Sequence, residues 1–277
     1  MPETSSIALS FVVSFELVLL LLGCFLLWRH GLSRAGQTHA AERTAAMPAW
    51  DISITQFLLF LWLIICGGLL AQTLTSLILK STDLHETMDL IISSGAFQGG
   101  MLLGVFGFKT FLERKNGNPS NPPAWSKITQ YGIVTLLIAL PILTVVGLSW
   151  QYLMQLLGVP LEEQDLIAIF ANIESPILLG LMIILAIVMA PVTEELIFRG
   201  GIFRYFRTRV PRWVALLGPA LLFAALHANL ASFAPLTVLG IIFALAYERT
   251  GSIAVPIIAH GLFNLNTIIL IFAGVGL

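Results

Sequence analysis

The chain has 277 residues, 57% of them hydrophobic and only 10% charged, with a formal net charge of −1. An ordinary soluble domain carries about 25% charged residues, so the composition excludes a soluble globular protein. No basic cluster with interleaved aromatics is present, so nucleic acid is not expected as a partner. The apolar runs are continuous and do not alternate, pointing to helices and away from a β-barrel. The expected fold class is an all-α polytopic membrane protein, a bundle of about eight transmembrane helices.

In chain order, the first span is expected over about Ile7 to Trp28, with Glu16 near its middle. The preceding MPETSS lacks the basic start of a signal peptide, so this span is expected to be retained. A linker, Arg29 to Trp50, carries Arg29, Arg34 and Arg43. The second span runs from about Ile54 to Leu79 and is followed by an acidic turn with Asp83, Glu86 and Asp89. The third covers about Leu90 to Leu112. Its exit, around NGNPSNPP, is a loop by composition and holds Arg114, Lys115 and Lys127. The fourth, Tyr131 to about Leu157, contains Pro141, which should kink it. An acidic stretch with Glu162, Glu163 and Asp165 then precedes a short amphipathic piece near Leu166 to Ile173. Cys24 and Cys66 lie within apolar runs and read as buried small hydrophobes, not as a disulfide.

The fifth span, Ile177 to Ala190, is expected to be cut by Pro191, just before Glu194, Glu195 and Arg199. The segment Arg204 to Arg212 is strongly basic. A sixth span begins near Trp213 and reaches His227. A seventh covers about Leu236 to Tyr247, with Gly251 as its stop. The eighth runs from about Ser252 and includes His260 and Asn264. Lys and Arg follow spans one, three, five and seven, whereas the other loops carry Asp and Glu, with Lys80 the exception. By the positive-inside rule this puts both termini on the non-cytoplasmic side and the glutamates at the cytoplasmic end of span five.

Charged side chains at bilayer depth cost roughly 2.5–3.5 kcal/mol each on insertion scales, so they face a protein interior or a wet cavity. A helix turns about 100° per residue. Glu195 and Arg199, at i and i+4, can therefore pair. Glu194 is rotated away and is the better candidate for chemistry. Taken alone, the triplet also fits an interfacial charge cluster. His227 follows Phe223 by one turn, and His260 and Asn264 share one face of the last span. Each of these alone also fits a packing role.

Together, however, three spans of the C-terminal third each supply polar groups at depth. A carboxylate and a His can hold a water and remove its proton. A second His and an Asn can donate hydrogen bonds to a developing oxyanion. Alternatively Glu194, His227 and His260 could hold Zn²⁺ with a position open for water. The HExxH helix of common zinc proteases is absent. Asn266 lies on another face, and Glu16 shows no partner in the sequence.

In this order the residues resemble the CPBP superfamily, which groups type II CAAX prenyl endopeptidases with bacteriocin-processing, Abi-like relatives. Its EExxxR motif matches Glu194, Glu195 and Arg199. Its FxxxH matches Phe223 and His227, and its HxxxN matches His260 and Asn264. The tract YERTGSIAVPIIAH is also similar, and the resemblance covers about Ile177 to Asn264. It implies a C-terminal catalytic part, 166–277, behind four N-terminal spans, 1–165, that carry no family signal.

It further implies an intramembrane endopeptidase of a bacterial cytoplasmic membrane, with its active site open to the cytosol and a membrane-associated protein or peptide as substrate. Glu194 and His227 would activate water, and His260 and Asn264 would stabilise the oxyanion, with Glu195, Arg199 and Phe223 in support. No cofactor is expected, because Asn is an unusual zinc ligand; zinc remains the alternative. A non-catalytic scaffold or immunity protein, and a proton-coupled transporter, are the competing readings.

Overall fold

The computed structural model of the chain describes residues 2–34, 36–38, 46–80, 86–111, 123–160, 173 and 175–275. Among them there is no strand. The main helices are α1 (Pro2–Leu27), α2 (Ile54–Leu79), α3 (Glu86–Phe111), α4 (Trp125–Leu156), α5 (Pro176–Arg207), α6 (Arg212–Leu226), α7 (Phe233–Thr250) and α8 (Ala254–Phe272). The chain is an all-α polytopic membrane protein. Seven of these helices, all but α6, are long and apolar enough to cross a membrane. The 15 residues of α6 reach about 22 Å at 1.5 Å per residue, short of a hydrocarbon core of about 30 Å. Most of the NGNPSNPP loop, the acidic residues Glu162, Glu163 and Asp165, and nearly all of the amphipathic piece expected near 166–173 lie outside the described residues.

Helix ends follow local chemistry. Ser53 caps α2 through a reciprocal capping box: its hydroxyl accepts from the Gln56 N–H at 3.2 Å, and Gln56 Oε1 accepts from the Ser53 N–H at 2.9 Å. Ser175 caps α5, with Pro176 at the first helical position. The expected stop at Gly251 is present: it sits at φ 67° after α7, and a Cβ there would come within 2.6 Å of the Ala46 carbonyl oxygen. The Ala46 and Met47 N–H groups both donate to the Glu248 carbonyl, so this turn docks the linker ahead of α2.

The helices group into two units, each discontinuous in sequence. The first holds α1, α4, α6, α7 and α8. Within it α1, α7 and α8 all pack on α4, and α6 packs on α7. Ala139, Leu143, Leu239, Phe243 and Ala259 form a dry core among α4, α7 and α8. The buried Glu248 carboxylate accepts three hydrogen-bond contacts of 2.7–3.2 Å from the Arg212 guanidinium, tying the start of α6 to the end of α7.

α1 is peripheral. Only 6% of its membrane window is buried, and Cys24 is exposed on it, whereas burial was expected. The expectation assumed a bundle-facing site, but on a peripheral helix most positions face lipid. Glu16, for which the sequence offered no partner, accepts a hydrogen bond from Asn266 Nδ2 on α8. The two residues are 250 positions apart, so no local spacing could reveal the pair.

The second unit holds α2, α3 and α5. Trp50, Phe57, Phe60, Phe108 and Tyr205 form an aromatic core, in which Phe57 stacks on Tyr205 at 3.8 Å. Part of the basic segment is structural here. Arg209 donates to the carbonyls of Trp50, Ile52 and Tyr205 and covers the Tyr205 ring, and Arg204 donates to the Ala49 carbonyl.

Helix α5 corrects the expectation of a break at Pro191. It continues through the proline to Arg207, with a π-helical turn over Leu185–Met189. A proline in a regular helix removes one N–H and drives its ring into the carbonyl four residues back. The widened turn, closed by the Ala190 N–H bonding to the Leu185 carbonyl, accommodates both effects without ending the helix.

Candidate active site

The glutamates lie on the regular stretch Ala190–Ile197 of α5, between the first π-helical turn and a second over Phe198–Phe203. Single π turns inside α-helices recur at functional sites because they re-aim side chains without ending the helix. The i,i+4 pair expected from the sequence forms: Arg199 Nη1 donates to Glu195 Oε1 at 2.8 Å. Both side chains are fully enclosed, as is Thr193, whose hydroxyl donates to the Met189 carbonyl at 2.8 Å. Glu194 is half-buried, with its Oε2 shielded from solvent, and its charge also acts on the Arg199 guanidinium. Helical rotation thus gives the adjacent glutamates different surroundings. One is locked into an ion pair, and the other lies on a partly accessible face.

The remaining motif residues belong to the other unit. Phe223 is buried on the last turn of α6. Its carbonyl is 2.8 Å from Nδ1 of His227, which follows the helix end and is exposed. A carbonyl oxygen only accepts, so Nδ1 is the donor at this contact, and in the neutral form of the ring that leaves the lone pair on Nε2. That tautomer presents a base to whatever lies beyond α6.

The same phenyl ring meets two imidazoles edge-on, His227 at 4.7 Å and His260 at 6.0 Å between centroids. His260 is buried on α8 and also packs on Phe243 at 5.3 Å. Asn264 lies one turn further along α8 and is half-buried. Counted along a full-length span, His227 and His260 would sit at different depths. The shortness of α6 and the shared Phe223 ring bring them to one cluster. Among the described residues, neither unit gathers three His, Cys, Asp or Glu side chains into a group able to hold a metal ion.

Three polar features escaped the sequence reading. Glu248 lies in the YERTG tract, but its partner Arg212 is 36 positions away. Asn266 lies on another face from His260 and Asn264, and its partner Glu16 is on α1. The Trp150 indole, which reaches the turn after His227, gave no signal beyond the type of residue.

Residues 176–266 match the family model described as type II CAAX prenyl endopeptidase Rce1-like. The chain is 34% identical over 113 residues to a Bacillus subtilis (strain 168) protein named "Putative membrane peptidase YdiL", a match covering 41% of this chain and 45% of that one. It is 36% identical over 78 residues to an Escherichia coli "Uncharacterized 24.3 kDa protein", covering 26% and 36% of the two chains. It is 34% identical over 87 residues to the "UPF0177 protein YbdI" of Lactococcus lactis subsp. lactis (strain IL1403), covering 31% and 46%. The chain thus spans less than half the length of each of these relatives. No solved structure matches it. The matched segment coincides with the stretch that carries EExxxR, FxxxH and HxxxN, so over residues 176–266 the chain is similar to the Rce1-like type II CAAX prenyl endopeptidases of the CPBP superfamily.

Proposed function

We propose that the chain is an intramembrane endopeptidase that hydrolyses a peptide bond of a membrane-associated protein or peptide. The observation that carries this reading is the exposed imidazole of His227, held through Nδ1 2.8 Å from the Phe223 carbonyl, within a family-matched segment that keeps every motif residue.

In the proposed reaction Glu194 and His227 hold a water between them and take its proton. The hydroxide oxygen adds to the scissile carbonyl carbon. The negative charge that develops on the carbonyl oxygen is met by N–H donors of His260 and Asn264. Collapse of the tetrahedral species breaks the C–N bond, and the proton taken from water passes to the leaving nitrogen. Glu195 and Arg199 hold the glutamate-bearing helix, and Phe223 holds both histidines. The alternation of basic and acidic loops supports a cytoplasmic-membrane protein whose site opens toward the cytosol.

The test compares membrane peptides from a deletion strain carrying the wild-type chain with those from one carrying Glu194→Gln. The wild type should release a product that the variant does not, while the variant keeps its thermal unfolding midpoint. Full processing by Glu194→Gln overturns the catalytic assignment. No processing by either chain favours a scaffold or immunity role. Stoichiometric zinc in the purified protein, with loss of activity on chelation, overturns the metal-free mechanism.

A further inference from the structure

Six residues, His227 to Ser232, join α6 to α7. The turn is held at three places. Ala228 has φ 50°, the one positive value at a non-glycine residue among those described. Asn229 Oδ1 accepts from the Ser232 N–H at 2.9 Å and its hydroxyl at 3.0 Å. The Trp150 indole N–H donates to the Leu230 carbonyl at 2.7 Å, and its ring lies 6.4 Å from that of Phe233. The first two features are local. The third comes from α4, 80 positions away and outside the matched segment.

A left-handed alanine costs roughly 1–2 kcal/mol. Such a residue persists where its surroundings over-determine it, and such sites cluster where geometry serves function. The strained residue here directly follows His227. A tryptophan near a helix end is ordinarily an interfacial anchor, but anchoring requires no partner in a turn between two other helices. We infer that Trp150 is a positioning residue for His227: its indole fixes the turn that sets the direction of the imidazole. The inference rests on the reading of His227 as a member of the water-activating pair.

The test uses the full chain, reconstituted in liposomes, with position 150 changed in two ways. Benzothienylalanine keeps the ring shape and lacks the N–H; a fluorotryptophan keeps both. Turnover of the product-yielding peptide is measured together with carbethoxylation of His227, using the exposed His30 as internal reference. The benzothienyl variant should lose about tenfold in kcat with KM unchanged, as expected for about one hydrogen bond's worth of transition-state stabilisation. His227 in it should react severalfold more slowly relative to His30, because the Nδ1–H bond to the Phe223 carbonyl, which holds the lone pair on Nε2 and raises its nucleophilicity, is weakened. The fluorotryptophan variant should match the wild type in both.

Equal kcat and equal His227 reactivity in the two variants overturn the inference, and so does a matching loss in both. A wild-type chain without turnover counts against the peptidase reading alone. In that case His227 reactivity still decides the role of Trp150: a fall with benzothienylalanine supports it, and no change or a rise overturns it.

Discussion

Arg199 and Glu195 meet at 2.8 Å with side-chain exposures of 2% and 0%, one turn apart on the helix that carries Glu194. Removing one member of a buried pair leaves the other's charge without its partner and costs about 3–5 kcal/mol. Glu195→Gln should therefore lower the thermal unfolding midpoint well below that of Glu194→Gln, whose side chain lies on the half-buried face. Unfolding followed by intrinsic fluorescence in one detergent gives the comparison. If Glu195→Gln unfolded like the wild type and yet lost processing, the division of labour between the glutamates would be wrong.

Gly201 lies in the π-helical turn that follows Arg199, and a Cβ there would run into the Phe60 ring. Phe60 cannot yield easily. It is 2% exposed and edge-on to both Trp50 and Phe108, at 5.2 and 5.3 Å. Overpacking a filled core costs typically about 1–3 kcal/mol. Gly201→Ala should thus destabilise the chain, and Phe60→Leu should recover part of the loss in the double variant. Additive losses in that cycle would show that the two sites do not press on each other.

The parts of this molecule legible in the sequence are those set by short spacing. Glu195 and Arg199 pair because four residues make about one turn, and Gly251 ends α7 because glycine tolerates φ 67°. The α2 start at Ile54 and the α6 start at Arg212 also fall within a residue of expectation. The course of α5 through Pro191 was not legible, since it depends on a π turn that composition does not announce. The Glu16–Asn266 and Arg212–Glu248 contacts join residues brought together only by packing. Of the proposed site, the residue types and their order could be read from the chain. The tautomer of His227 and the phenyl ring shared by two imidazoles needed the backbone of α6 and the packing of α8.

Glu16 and Asn266 give the weakly buried α1 a polar tie to α8. Interhelical hydrogen bonds in membranes are worth about 0.6 kcal/mol on average and up to about 1.7. Glu16→Gln keeps an acceptor oxygen opposite the Asn266 amide and should be close to neutral. Asn266→Leu removes the donor and leaves the carboxylate facing an isobutyl group, so it should lower the unfolding midpoint more. If the two changes cost the same, the amide is not what holds the carboxylate, and Glu16 answers to another group.

The last expectation concerns Ala228, the residue after His227, at φ 50°. Glycine there should be nearly neutral for stability, because relief of roughly 1–2 kcal/mol of left-handed strain is offset by about 0.4–1 kcal/mol of extra freedom in the unfolded chain. The turn geometry persists and processing should continue. Valine differs from alanine by two methyl groups that stiffen χ1, and a β-branched residue at positive φ is a true outlier. Ala228→Val should therefore push the turn out of its left-handed conformation, swing His227 off the Phe223 carbonyl, and reduce kcat more than it reduces the unfolding midpoint. Turnover and thermal unfolding on the same preparations separate the effects. A valine variant with wild-type kcat would mean that the left-handed turn is incidental to His227, and a glycine variant that lost activity would mean that the side chain of Ala228, not its backbone, is what matters.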